Sequence, residues 1–286
     1  MSGSDDVRVS VTIPVFNGMP YIKAAAESAI DQLLETDELV VVDNASTDGT
    51  RGYLESITDP RVRVVLRKGT QPVEDNWTQA VLETRGTYVK LMCGDDLIEP
   101  GCLRTQVDIL NADPDSVMVA GMRVIVDDRD QVLIRRHGLN GLPKRMSGAA
   151  ALVRCMRAGT NLLGEPAATM FRGDAIREAM PWVGKWPYML DLATYSKVLQ
   201  RGDIALIHEP LARFRVSASS ASAQMLSDQP KDFRRWRDWQ RGQPHTNLGP
   251  MGVLQSELTL WARTTGRRLY FKRVARRARR EARVGL

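Results

Sequence analysis

Glu38-Leu-Val-Val-Val-Asp43-Asn44 is four consecutive aliphatic residues between acids, closed by an amide. A run this short, apolar at every position rather than at alternate ones, fits a parallel strand buried on both faces. The same pattern repeats outward on either side. Upstream, Val7 to Val15 reads as a β-branched strand, punctuated by Asn17-Gly18 and Pro20. Ile22, Ala26, Ala29, Ile30 and Leu33 then recur at helical spacing through Tyr21 to Leu34. Downstream, Thr47-Asp-Gly-Thr50 opens a helix that carries Tyr53, Leu54 and Ile57. Val62 to Leu66 is a third strand, Asp75 to Thr84 a helix, and Tyr88 to Met92 a fourth strand stopping at Cys93-Gly-Asp-Asp96. Glu99-Pro-Gly101 starts the next helix, where proline is tolerated. Strands alternating with helices predict an α/β fold with a mostly parallel sheet and right-handed crossovers. Ligands in such sheets sit beyond the carboxyl ends of the strands. Pro14-Val-Phe-Asn17, Asp43-Asn-Ala-Ser46 and Gly94-Asp-Asp96 lie at those ends and are expected to converge.

The second half is less regular. Val117 to Val126 reads as a strand, Ser147 to Arg157 as a helix, and Ala167 to Phe171 as strand-like. Tyr188 to Gln200 is helical, and Ile204 to Phe214 is a strand broken by Pro210. Ala218 to Ala223 is a Ser/Ala-rich loop. Met251 to Arg283 is one long helix or two, with Leu254, Leu258 and Trp261 on one face.

Composition narrows the chemistry. The three cysteines form no CxxC pair and the three histidines no metal spacing, so a disulfide scaffold and a His-rich metal site are excluded. No glycine-rich dinucleotide fingerprint or P-loop follows the first strand; Asn17-Gly-Met-Pro20 is a poor pyrophosphate cradle. A bound phosphate would need another way to be neutralised. Asp95-Asp96, at an expected exposed strand end, either holds a hard divalent cation or caps the helix near Pro100.

Three segments, Val9-Ser-Val-Thr-Ile-Pro-Val-Phe-Asn-Gly18, Val40-Val-Val-Asp-Asn-Ala-Ser-Thr-Asp-Gly-Thr50 and Gly86-Thr-Tyr-Val-Lys-Leu-Met-Cys-Gly-Asp-Asp-Leu-Ile-Glu-Pro100, together resemble glycosyltransferase family 2 in order and spacing. Looser likeness continues in Leu163-Gly-Glu-Pro166, Tyr188-Met-Leu-Asp-Leu192 and Arg213-Phe-Arg-Val-Ser217. The resemblance implies a GT-A fold and an inverting, metal-dependent transfer of a sugar from a nucleoside-diphosphate donor, UDP or GDP, to a glycan or glycolipid hydroxyl. It places Pro14, Phe16 and Asn17 beside the nucleotide base, with Asp43 accepting from a base N–H or else acting as a turn acid. Asn76 falls near the ribose, Asp95 contacts ribose or sugar, and Asp96 binds Mg²⁺ or Mn²⁺. Asp191 is the implied general base, with Glu165 second; the alternative for Asp191 is an N-cap of the helix from Leu192. The implied domains are a catalytic unit over 1–225, divided into a nucleotide-sugar half (1–110) and an acceptor half (111–225), and a basic helical extension over 226–286.

Departures from the family pattern are Cys93 where an acid is usual, Leu190 where a Glu often precedes the base, and no His in Arg213-Phe-Arg-Val-Ser217. Arg213 or Arg215 would contact the diphosphate instead. His208 is expected to be structural. Trp182, Trp186 and Tyr188 either stack on an acceptor sugar or form a small core. An inert nucleotide-sugar binder is the alternative to an enzyme.

The net charge of +6 sits in the tail. From Gly266 onward there are nine Lys/Arg and one acid, 9 − 1 = +8, so the remainder carries 31 − 33 = −2. Basic residues beside Leu269, Tyr270 and Phe271 suit an anionic membrane surface or a homo-oligomer contact; nucleic acid is not expected. With no apolar span and an acidic N-terminus, the expected location is the cytoplasm, peripheral to the inner face of the cell membrane.

Overall fold

Every residue of Val9–Val15 (β1) is buried, as are Leu39 to Asp43 within Glu38–Asp43 (β2). A computed structural model, which describes residues 7–217, 225 and 227–266, gathers these strands into one ten-stranded sheet. β2 pairs parallel with β1 and with Val62–Leu66 (β3), and β1 pairs parallel with Tyr88–Leu91 (β4). Helices Ile22–Ile30 (α1), Thr50–Glu55 (α2) and Val73–Leu82 (α3) connect them. The edge order β3-β2-β1-β4 is thus the β-α-β pattern read from sequence.

Beyond β4 the sheet departs from a simple parallel array. Leu97–Ile98 (β5) and helix Cys102–Ala112 (α4) lead to Ser116–Val126 (β6). Val132–His137 (β7) folds back on β6, and Arg145–Ser147 (β8) precedes helix Gly148–Ala158 (α5), capped by the Ser147 hydroxyl. A 3₁₀ turn at Pro166–Ala168 precedes Thr169–Arg172 (β9), so the expected strand begins later than its apolar run. β9 inserts antiparallel between β4 and β6. Helices Gly173–Glu178 (α6) and Leu190–Val198 (α7) follow, and Asp203–Arg215 (β10) pairs parallel with β6. Pro210 does not end β10; the pairing skips from Ile207 to Pro210 as a bulge, which accommodates a residue without an N–H. The strands β1, β2, β3, β4, β6 and β10 therefore all run one way, and their carboxyl ends share one edge.

The two faces of the sheet pack separate cores. Alternation decides membership: Val89, Leu91, Met118 and Ala120 face α5 and α7, whereas Tyr88 and Val119 face α1 and α4. The expected C-terminal extension contributes Gln229–Gln240 (α8) to the first core through Phe233 and Trp236. A last helix, α9, covers 250–266 and buries Leu260. The loop expected over 218–223 and the basic segment from 267 lie outside the described residues. No helix among the described residues is long and apolar enough to cross a membrane.

Candidate active site

The loops after β1 and β2 are laced together at the carboxyl edge. Asn17 takes a left-handed backbone with φ 50°, a conformation that Asn tolerates. Its N–H donates to Ser46 Oγ at 2.8 Å, and its Oδ1 accepts from Thr47 N at 2.8 Å. Asp48 accepts from Met19 N and from the Thr50 hydroxyl and N–H, bonds that hold its carboxyl below the usual range against the opposing effect of desolvation. Phe16 is left half-exposed at this edge, while Pro14 is buried in β1. Asp43 is fully buried; it accepts from Ser46 N at 3.2 Å and pairs with Arg51 at 3.4 Å. Asn76 is buried on α3, and its Oδ1 has no protein partner.

Asp96 is not at an exposed position: it is 1% exposed, and its Oδ1 accepts from the Arg215 backbone N–H at 3.1 Å. Its Oδ2 is buried without a partner. Desolvation, then the charge of Asp95, pushes the Asp96 carboxyl well up, and desolvation raises Asp95. Ligand atoms of Cys93, Asp95 and Asp96 lie within 4.8 Å of one another. Desolvation and the two neighbouring acids also push up the Cys93 thiol, which keeps it a neutral S–H and a poor ligand for a hard cation. The remaining set, two carboxylates with one orphaned oxygen, fits Mg²⁺ or Mn²⁺.

Arg215 is enclosed rather than offered to a diphosphate. Its guanidinium donates to the carbonyls of Asp95 and Asp127 and to the Asp130 carboxylate, and lies 4.4 Å over the Tyr21 ring. Arg213 pairs with Glu99 at 2.8 Å. His208 is structural, with Nε2 3.0 Å from the Leu142 carbonyl. Trp182 and Trp186 are buried, packing on Trp77 and Trp239 as core, while Tyr188 borders a cleft of about 570 Å³.

That cleft brings together Asp95, Glu165 and Asp191 from three distant segments. α7 begins at Leu190, so Asp191 stands in its first turn instead of capping it. The Asp191 carboxyl is pushed up to about 7, by desolvation first and by the Glu165 charge second. Asn161 fixes its orientation. Asn161 Oδ1 accepts from Leu163 N and Gly164 N, so its Nδ2 must donate, to Asp191 Oδ2 at 3.0 Å and to the Gly164 carbonyl at 2.9 Å. Glu165 has a different fate: the nearly buried Arg123 clamps both its oxygens. Its carboxylate is therefore committed to an ion pair with a guanidinium of the cleft wall. Gly138, at φ 97°, makes room for that guanidinium, because a Cβ there would strike Arg123 Nη1.

Sequence reading missed Asn161 and Arg123, which carry no motif, and Lys90. Fully buried in β4, Lys90 donates to the Ala167 and Thr169 carbonyls and to Gln106, whose amide takes the Ala168 carbonyl. The pair thereby secures the turn behind Glu165-Pro166. A cation inside the apolar strand Tyr88–Leu91 was the available signal.

Several known proteins resemble this chain. The ExoO succinoglycan biosynthesis protein of Rhizobium meliloti is 30% identical over 146 residues, 51% of this chain and 38% of ExoO. TuaG of Bacillus subtilis, a putative teichuronic acid biosynthesis glycosyltransferase, is 24% identical over 82% of this chain and 88% of its own. The chain spans less than half the length of the first curated relatives that it matches. Among solved structures, S. aureus TarS 1-349 in complex with UDP-GlcNAc superposes with a TM-score of 0.62 at 16% identity, covering 88% of this chain and 70% of that one. That likeness concerns the fold, which is GT-A. The model described as Glycosyl transferase family 2 matches residues 10–176, more than half of the molecule, and the chain belongs to that family.

Proposed function

We propose that this protein is a metal-dependent inverting glycosyltransferase that moves a sugar from a nucleoside-diphosphate donor to a hydroxyl acceptor on a glycan or glycolipid. One observation carries the reading: Asp191, on the cleft wall with Asp95, titrates at about 7 and is aimed by a fixed amide. A base for direct displacement at an anomeric carbon must take the acceptor proton as the new bond forms, and it works best with a pKa near the working pH. Asp191 supplies that group; desolvation first, and the Glu165 charge second, keep its pKa high.

Donor recognition is assigned to the laced edge. Phe16 and Asn17, with Pro14 beneath them, border the base. Asp43 meets a base N–H, and Asn76 offers its free Oδ1 toward the ribose. UDP is the first nucleotide to try, since the similar TarS was solved with UDP and with UDP-GlcNAc; GDP is the second. Asp95, on the cleft wall, and the orphaned Asp96 Oδ2 behind it would hold Mg²⁺ or Mn²⁺. The cation, when bound, stabilises charge on the departing diphosphate as a Lewis acid.

The deciding experiment follows nucleoside diphosphate release from a panel of UDP- and GDP-sugars with Mn²⁺, for wild type and Asp191→Asn. Release by wild type and its loss in the variant, with donor affinity kept, is the expected result. Donor binding without release from any sugar would instead favour an inert binder, a reading that Cys93 and Leu190 support.

A further inference from the structure

Helix α9 turns an uncharged apolar face to solvent. Met251, Leu254, Leu258 and Trp261 are 80, 55, 60 and 67% exposed, respectively. At helical periodicity they fall within an arc of about 80°. Gln255, Ala262 and Thr265 flank them, so no charged side chain interrupts the stripe. The other side of the helix is engaged by the fold. Ser256 and Leu260 are buried, Thr259 donates to the Arg157 carbonyl at 2.7 Å, and Glu257 pairs with Arg234 and Arg237. A surface helix ordinarily places its charges on the outer face. Here the charge comes next in sequence instead: 267–286 holds nine Lys/Arg and one acid.

We propose that this face of α9 docks on an anionic lipid bilayer. The stripe enters the interface, and the +8 segment that follows it supplies the attraction. Only a partner that is apolar within and anionic at its surface satisfies both features. A second copy of the chain would cover the stripe and leave the +8 segment without an anionic partner. A nucleic acid would take the charge and leave Trp261 and Leu258 in water. Each basic side chain near an anionic lipid surface is worth about fivefold in partition. The same helix contributes Arg263 to the cleft wall. A bilayer on the outer face therefore lies about 10 Å, one helix diameter, from the cleft, where a lipid-borne acceptor would arrive.

The test is flotation of the full chain with vesicles of phosphatidylcholine, alone or mixed with phosphatidylglycerol, at low and high salt. Wild type is expected to float only with the anionic vesicles, and less in high salt. Leu258→Ser/Trp261→Ser, at exposed positions, is expected to bind at least about tenfold more weakly while keeping its melting temperature and nucleoside diphosphate affinity. Three results would overturn the proposal. Wild type could fail to float with anionic vesicles, or the double variant could float like wild type, which would leave charge as the sole attraction. A dimer in sedimentation that the same substitutions dissociate would place a second copy on the stripe.

Discussion

Replacing Asp191 by Asn tests the proposed chemistry at one atom. The substitution keeps shape and an acceptor for Asn161 Nδ2, at the cost of turning an NH2 toward the Leu192 N–H, and it removes the group that takes a proton. A general base is worth about 10² to 10⁴-fold in rate, so turnover falls by at least about a hundredfold with donor affinity unchanged. The wild-type pH profile carries the second half of the test. With Asp191 at about 7, the active carboxylate is half populated there and about a tenth populated at pH 6, so the chemical step slows about tenfold between pH 8 and pH 6. Glu165→Gln removes the neighbouring charge that raises Asp191, and its acid limb moves to lower pH. Stability moves the opposite way to activity. The folded value lies above the ordinary 3.8, so the folded state binds this proton more tightly than the unfolded chain. The resulting destabilisation is absent below about pH 4, grows as pH rises, and is complete above about 7. Its upper bound is about 4 kcal/mol. The melting temperature of Asp191→Asn relative to wild type should therefore rise between pH 4 and pH 8. Single-turnover product formation, donor titration and thermal melts on the same variants measure all of this. Wild-type turnover in Asp191→Asn, or a single-turnover rate that is flat from pH 6 to 8, would refute the assignment.

Other substitutions separate roles around the cleft. Asn161→Ala frees the Asp191 carboxyl to rotate and should lower kcat about tenfold or more with nucleoside diphosphate affinity intact, read by steady-state kinetics beside calorimetry. Asp43→Ala strands the Ser46 N–H and unpairs Arg51, so a loss of about 1–3 kcal/mol in stability should accompany a flattened preference between UDP and GDP, read by denaturant melts and competition binding. Asp95→Asn should keep the fold and abolish the gain in nucleotide affinity on adding Mn²⁺, measured with and without EDTA. Asp96→Ala should lose that gain and also about 1–2 kcal/mol of stability, because the buried Arg215 N–H loses its acceptor.

Much of the nucleotide half was legible because its signals are local. Leu39 to Val42 is apolar at every position, and in the structure all four residues are buried within a parallel pair on each side. Strand direction then placed Phe16, Asp43 and Asp95 at one edge without any distance being known. The second half was harder. Nothing in the run Ala167 to Phe171 says that β9 will enter antiparallel between β4 and β6, since an apolar strand fits either direction. The four-residue apolar periodicity of α9 was readable; that Met251, Leu254, Leu258 and Trp261 would face outward was not, because the core chose the Ser256 and Leu260 side.

The sequence alone determined the α/β alternation, the family, and which acids could carry the chemistry. The tertiary structure decided what each acid can do. Asp191 and Asn161 are 30 residues apart, and Arg123 and Glu165 are 42 apart. Their pairing follows from the sheet order that brings β6, the turn before β9 and the start of α7 to one wall. Asp96 looked exposed in sequence and is buried under the Arg215 backbone, 119 residues away. A carboxyl's pKa is set by the solvent it loses and the charges it meets, and neither is a property of neighbours along the chain.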